Sequence, residues 1–303
     1  GKLFVQTKDG KFISTNEKLF HQDSVCEDVD AVFFDADGDG DQDLYVVSGG
    51  NEFFDHMHPL LDRLYLNDGK GNFTKSADAL PDMFTNKSCV KVADYDSDGD
   101  MDIFVGGRVD SQHYGVIPDS YLLINDGKGH FKIATDQLAP GLKNIGMITD
   151  AVWTDFNGDG KTDLVIVGEW MPVTFFKNMG NGHLKNVTDE MNLGKTNGWW
   201  RTIMATDIDG DGKIDLLIGN YGLNSKLTPS KKYPLKLFVK DIDGNGALDQ
   251  ILAYQKNGKY YTILGKATLE KQLPTLFRKK YPTYSSFAGH TVEQIIDDTF
   301  NDA

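Results

Sequence analysis

Cysteine is nearly absent. Cys26 and Cys89 are the only two in 303 residues, too few for a disulfide framework and without the spacing of a zinc pair or a CxxC redox motif. One disulfide and two buried free thiols both fit that count. No stretch of ~18 apolar residues could span a bilayer, so no membrane insertion is expected in this segment. Nor does a charged-then-apolar leader open the chain; its repeat pattern starts mid-unit at Gly1, which leaves room for an export signal upstream. Positive charge is also scarce, with 31 Lys and Arg against 45 Asp and Glu for a net −14. Such a balance argues against nucleic acid as a partner.

The acidity is local. Five nine-residue segments start at Asp35 (DADGDGDQD), Asp94 (DYDSDGDMD), Asp155 (DFNGDGKTD), Asp207 (DIDGDGKID) and Asp241 (DIDGNGALD), and they hold 20 carboxylates against two lysines. Those loops carry −18, so the rest of the chain is nearly balanced at +4. The charge is therefore read as ligand supply.

The loop starts are 59, 61, 52 and 34 residues apart, a repeat spacing. Around the first loop lie four short β-rich runs, AVFFD, DLYVVSGG, RLYLNDGKGNF and FTKSA, and the second and third units repeat the plan. Apolar runs joined by Asn-Asp-Gly turns read as hairpins. Continuous apolar strands fit sheets covered on both faces, and four-stranded sheets packed around an axis make a β-propeller. A solenoid fits less well, because its repeats are usually shorter.

The expected fold is all-β, a propeller of four-stranded antiparallel blades over 1–265. A partial blade at 1–22 is followed by blades at about 23–88, 89–148, 149–200 and 201–265. The fifth loop is expected to be an enlarged third-to-fourth-strand turn, since LFVKDIDGNG aligns with LYLNDGKGNF. From Lys266 to 303 the pattern turns helical, with Thr291 and Gln294 forming a capping box. About four blades and a part do not close a ring, so the remainder of a longer chain is expected to complete it.

Oxygen ligands at positions 1, 3, 5 and 9, a glycine at 6 for the sharp turn and a backbone carbonyl at 7 suit calcium, whereas zinc prefers nitrogen or sulfur. The expected ligands are Asp35, Asp37, Asp39 and Asp43 with the carbonyl of Asp41; Asp94, Asp96, Asp98 and Asp102 with Asp100; and Asp155, Asn157, Asp159 and Asp163 with Lys161. Asp207, Asp209, Asp211 and Asp215 with Lys213, then Asp241, Asp243, Asn245 and Asp249 with Ala247, complete a set for up to five Ca2+ ions. An EF-hand would need a glutamate at position 12, where this chain has strand residues such as Val46 and Ile166. Loops three and five, with asparagine replacing one carboxylate, are expected to bind most weakly. Calcium is expected to serve the fold.

These loops, each followed by an NDGKGxF-type hairpin at a period near sixty, resemble the FG-GAP or VCBS repeats of integrin α-subunit propellers. GWWRTIMATDIDGDGKIDLLIGNYGLNS is similar in style to bacterial secreted relatives of cartilage acidic protein. The resemblance implies a seven-bladed ring in the full protein, calcium in the loops and an extracellular, cell-surface or periplasmic location. It implies adhesion or ligand binding and brings no catalytic residue.

A ligand is expected on the face opposite the cation loops, a glycan or a surface protein, held by Arg108, His113, Tyr114, Trp170, Trp199, Trp200, Arg201 and Tyr221. His56, His58, Arg63, Glu169 and Asn224 share that face. Trp199 and Trp200 could instead pack between blades, and His56 with His58 lack a third metal ligand. Enzyme chemistry is the alternative: a polysaccharide lyase using Arg108, His113, Tyr114 or Arg201, or a glycosidase using two of Glu52, Asp55, Asp62, Asp82, Asp110, Asp119 and Glu169.

Overall fold

The computed structural model describes residues 1–222 and 232–296. Three four-stranded antiparallel meanders dominate. After a hairpin of β1 (Leu3–Gln6) and β2 (Phe12–Thr15) come β3 (Asp28–Phe34), β4 (Asp43–Ser48), β5 (Arg63–Asn67) and β6 (Phe73–Lys75). The second sheet is β7 (Asn86–Ala93), β8 (Asp102–Val109), β9 (Tyr121–Asn125) and β10 (Phe131–Ile133). The third is β11 (Met147–Thr154), β12 (Asp163–Glu169), β13 (Thr174–Asn178) and β14 (Leu184–Asn186). Two smaller sheets follow, β15 (Trp200–Thr206) with β16 (Asp215–Asn220), and β17 (Lys236–Lys240) with β18 (Asp249–Lys256) and β19 (Lys259–Thr262).

Each first strand enters a cation loop and each second strand leaves it, so every loop lies at the same end of its sheet. Every residue of β4 and β12 is buried, as sheets covered on both faces require. First strands β3, β7, β11 and β15 adjoin in succession, the arrangement of blades around an axis. Apolar layers fill the gaps between sheets. Phe34 and Tyr45 of the first pack with Val90 and Ile103 of the second, Phe104 and Leu122 with Leu164 and Phe176 of the third, and Val165 and Val167 with Ile203.

The blades are also pinned by polar bonds across these gaps. In the first and third sheets an aspartate sits at a β-bulge five residues before its loop: Asp30 accepts the Val90 N–H at 3.0 Å, and Asp150 accepts the Ile203 N–H at 3.0 Å. Ser88 and Thr149 donate their hydroxyls to the carbonyls of Ile148 and Trp200.

The expectation for the fifth loop is corrected. Strand β17 pairs with β18 across the 241–249 loop, and β18 pairs with β19 through a turn at Asn257 and Gly258, so the loop joins the first two strands of a new three-stranded sheet. Asp249 accepts the Ile242 N–H at 3.0 Å, as Asp43 does from Ala36 and Asp215 from Ile208. That bond belongs to the hairpin between first and second strands, which is why alignment with a third-to-fourth-strand turn misplaced it. The expected blade at 201–265 thus comes as two sheets.

Helices are short. They are α1 (Glu17–Gln22), α2 (Thr135–Leu138), α3 (Lys266–Gln272), α4 (Pro274–Lys280), α5 (Tyr284–Phe287) and α6 (Val292–Ile296). The last four pack on β17–β19 in a core of Phe238, Ile251, Leu269, Phe277, Tyr281 and Ile295. The expected capping box opens α6, with Thr291 N–H bonded to Gln294 Oε1 and Gln294 N–H to Thr291 Oγ1. Residues 297–303 of the expected helical segment lie outside the described residues. Both cysteines are free, Cys89 buried and Cys26 half-buried.

Candidate cation loops and ligand face

In four of the loops the first aspartate shapes the turn from within. Asp35 accepts the N–H groups of Gly38 and Gly40 at 2.8 and 3.0 Å, and Asp155, Asp207 and Asp241 bond the same two glycines of their own loops. Those glycines have φ between 73° and 92°, which L side chains adopt at a cost. Position 4 was a constraint the spacing argument did not register. In the second loop it is Ser97, held at φ 66°. The position-7 residues Asp41, Asp100, Lys161, Lys213 and Ala247 each donate an N–H to the side chain at position 5.

Carboxylate oxygens converge to within 4.8 Å for Asp35, Asp37 and Asp39, for Asp94, Asp96 and Asp98, for Asp207, Asp209 and Asp215, and for Asp241, Asp243 and Asp249. The fifth loop, despite Asn245, is one of the four. Fit to a hard cation can be judged from unmet oxygens. Asp41 Oδ1, Asp94 Oδ1, Asp102 Oδ2 and Asp243 Oδ1 are enclosed without a hydrogen-bond partner. Burial, followed by Asp96, Asp98 and Asp94, pushes the Asp102 carboxyl up to about 7. Burial comes first and neighbouring carboxylates follow in raising Asp43 and Asp249 as well. An all-oxygen donor set with orphaned, repelling carboxylates fits calcium.

The third loop behaves differently. No three of its carboxylates converge among the described residues. Lys177 Nζ lies 3.1 Å and Lys161 Nζ 3.7 Å from Asp159, and Asn157 donates to Asp163 at 2.6 Å. Lys177 is the main cause holding the Asp159 carboxyl below its usual range. Ammonium groups supply there the positive charge that a divalent ion would supply elsewhere.

At the opposite end of the sheets, six of the eight expected ligand-face residues meet around one carboxylate. Arg108 at the end of β8 and Arg201 at the start of β15 both bond Glu169 Oε1, at 2.8 and 3.1 Å. Tyr114 donates to Glu169 Oε2 at 2.9 Å and accepts from Trp170 Nε1 at 2.9 Å. Trp170 tilts against Trp199 with ring centroids 5.4 Å apart, and Trp199 stacks on Tyr221 at 4.7 Å. Glu169 itself is 2% exposed. Burial raises its pKa, but Arg108, the nearby Trp199 indole and Tyr114 outweigh that and leave it below the ordinary glutamate range.

The other two go elsewhere. His113 bonds Asp110 through Nδ1 at 3.0 Å and lines a separate pocket of about 280 Å³ with Phe54, Phe84 and Asp119. Trp200 packs between the third sheet and β15, its indole donating to the Thr196 carbonyl at 3.0 Å. Packing between blades therefore describes Trp200, and Trp199 too lies between Trp170, which follows β12, and Tyr221, which follows β16. His56 stands edge-on to Phe84, and neither it nor His58 belongs to a cluster of metal-ligating groups among the described residues. Arg63 is buried on Asp28 and Ser48. Asp62 is committed to a buried lysine, Lys87, at 3.1 Å. Asn224 lies outside the described residues.

Successive four-stranded meanders whose first strands adjoin, each turned by an aspartate loop, define a protein of the β-propeller type. Residues 35–105 and 155–218 match the FG-GAP-like repeat family, and the two spans hold the first four cation loops. No protein of curated function matches the chain. Among solved structures it is similar to an Agrocybe aegerita lectin described for specific recognition of non-reducing terminal N-acetylglucosamine, at 19% identity and a TM-score of 0.40 over 77% of this chain and 64% of that one. It is also similar to the V. cholerae biofilm matrix protein Bap1, at 16% identity and a TM-score of 0.34 over 81% of this chain and 36% of that one. The chain thus spans under two thirds of the length of either structure. No helix among the described residues is long and apolar enough to cross a membrane.

Proposed function

We propose that this chain is a calcium-stabilised binding module of an exported or surface protein, holding a glycan or a surface protein on the face opposite its cation loops. The observation that carries the reading is the meeting of Arg108, Arg201 and Tyr114 on Glu169, with Trp170, Trp199 and Tyr221 packed in a row beside them. Aromatic and arginine side chains gathered at one place are the composition of binding hot spots. Calcium is assigned a structural role, because the loops lie at the far end of the strands from this cluster. Asp35, Asp37 and Asp39, with Asp94, Asp96, Asp98 and Asp102, would hold two of the ions; the fourth and fifth loops would hold two more. Screening the calcium-loaded protein against arrayed glycans and surface proteins tests the binding role. Silence on every probe from a folded sample would count against it.

A second reading is a polysaccharide lyase. It is favoured by one observation, that Arg108, Arg201 and Tyr114 meet at a single carboxylate, where charge neutralisation and proton transfer could be combined. Burial pushes the Tyr114 phenol up, which disfavours it as a base at neutral pH. Accumulation of ultraviolet-absorbing unsaturated product from uronate polymers would establish this reading in place of the first.

A further inference from the structure

The Glu169 cluster has more donors and more positive charge than it can use internally. Two guanidinium groups share one carboxylate oxygen. Arg108 Nη1 is enclosed and has no hydrogen-bond partner among the described residues, although leaving a buried donor unmet costs about 1–3 kcal/mol. Arg201, with half its side chain exposed, uses only Nη1. Both arginines line a cleft of about 320 Å³ together with Asn51, Ser88, Tyr114 and Thr149. Lys87 reaches the same cleft, but its charge is spent on Asp62. The Glu27 carboxylate lies beside Gly50 on the opposite wall, so an anionic group would enter on the arginine side.

Backbone strain is concentrated at the same place. Trp170 is held at φ 63°, a left-handed conformation that costs an L residue roughly 1–2 kcal/mol. Three bonds fix it: its N–H to the Gly198 carbonyl at 2.8 Å, its carbonyl from Asn197 Nδ2 at 2.9 Å, and its indole to Tyr114. Such strain collects at ligand clamps, where the surroundings over-determine it. Here it sets the Trp170 ring against Trp199, and Trp199 against Tyr221, which is 55% exposed. Tyr221, the outer ring of this stack, is left with an exposed face that can cover the apolar face of a sugar near Arg201.

Building on the binding-module reading, we propose that an acidic saccharide binds at the mouth of this cleft, with a uronate carboxylate on the half-exposed Arg201 and a sugar ring on the exposed face of Tyr221. The combination decides the class: a lone carboxylate would need no ring face, and a neutral sugar would bring no anion to the exposed guanidinium of Arg201.

Short oligosaccharides of galacturonate, mannuronate and glucuronate, each with its neutral counterpart, can be titrated into the protein by calorimetry at one fixed calcium concentration. At least one acidic member should bind and its neutral counterpart should not, with affinity falling as salt rises. Arg201→Ala and Tyr221→Ala should each weaken that binding about tenfold or more when measured well below the Tm of each variant, with circular dichroism confirming the fold. Acidic binding that survives Arg201→Ala, or neutral sugars that bind equally well, would overturn the acidic-saccharide assignment while leaving a binding module in place. Capture of a protein ligand through Tyr221 with no saccharide bound would have the same meaning. Silence on saccharides and surface proteins alike would remove both.

Discussion

Asn178 donates its side-chain amide to the carbonyl of Tyr95, 83 residues earlier and in the cation loop of the preceding sheet, at 2.6 Å. The same amide reaches the Thr162 carbonyl of its own loop at 3.1 Å, while its Oδ1 accepts the Gly180 N–H at 2.8 Å. Asn125 repeats the arrangement one sheet earlier, with the carbonyls of Ala36 and Met101. In the second and third sheets the asparagine of this turn is therefore a clamp between blades as well as a turn former. Asn178→Ala would leave two buried carbonyls unmet and should cost about 1–3 kcal/mol. Asn67, whose side-chain NH2 reaches the Gln42 carbonyl of its own loop at 3.1 Å and no carbonyl of another sheet among the described residues, should be less sensitive to the same change. Urea unfolding of the three alanine variants checks the order, and equal losses at all three would refute the clamp.

Calcium removal should lower the melting temperature. At calcium concentrations about 10–100 times the dissociation constant, each filled site adds about 1.4–2.7 kcal/mol by mass action. Asp94→Asn should shrink the difference in Tm between calcium and chelator, because it removes an oxygen with no other partner. Lys177→Ala should not shrink it, since that lysine already neutralises the third loop. A melting temperature indifferent to chelator would dismiss the structural role of the ion.

Ser97 offers a gain in stability. It is the only non-glycine at position 4 of a cation loop and sits at φ 66° where the others have glycine. Ser97→Gly relieves the left-handed strain at the expense of greater freedom in the unfolded chain, and should stabilise the protein by a few tenths to about 1 kcal/mol. A lower Tm would mean that the Ser97 side chain makes a compensating interaction.

How much of this could be read from the chain varies by residue, and for physical reasons. Metal loops are legible because a hard cation needs oxygen at fixed spacing, so Asp35 to Asp43 announce themselves. Strands β4 and β12 are legible because burial on both faces leaves continuous apolar runs. Glu169 was legible only as one carboxylate among seven. Its partners Arg108, Tyr114 and Arg201 are 61, 55 and 32 residues away, and only the stacking of blades brings them together. The bulge aspartates are a missed signal that was present: Asp30 and Asp150 stand at the same offset before their loops, where the second repeat has Cys89.

Asp150 should make stability depend on acid. It bonds Lys91 Nζ at 2.9 Å, the Thr202 hydroxyl at 2.9 Å and the Ile203 N–H at 3.0 Å, joining three successive blades. Burial raises its carboxyl pKa, but Lys91 and the two other donors outweigh that and hold it below the ordinary value. For a carboxylate whose folded pKa is depressed, the folded state binds fewer protons than the unfolded one. Its contribution is therefore complete above the unfolded value near about pH 4 and is lost as pH falls through the folded value. Asp150→Asn should be less stable than the parent by about 1–2 kcal/mol at neutral pH, with the gap closing at lower pH. Denaturant midpoints measured from pH 7 downward check this, and a gap that widens in acid would contradict it.

Lys87 and Asp62 form an ion pair with both side chains wholly buried, 3.1 Å apart. The ammonium also donates to the carbonyls of Leu60 and Met83, at 2.6 and 2.7 Å. Asp62 accepts the Tyr45 hydroxyl at 2.7 Å and the Ser48 N–H at 2.8 Å. Burial is the main influence on the ammonium, lowering its pKa against the pull of Asp62. Lys87→Met leaves a buried carboxylate without its cation and should cost about 3–5 kcal/mol. Asp62→Leu should cost a similar amount, because it strands the ammonium and the Tyr45 hydroxyl. The double variant removes both charges at once, so its loss should fall short of the sum of the single losses by about 1–3 kcal/mol. The pair joins the β4–β5 connection of the first sheet to the start of β7 in the second, so the penalty should appear in the cooperative unfolding of both. Strictly additive losses would mean that the two charges are stabilised independently by their backbone and hydroxyl partners.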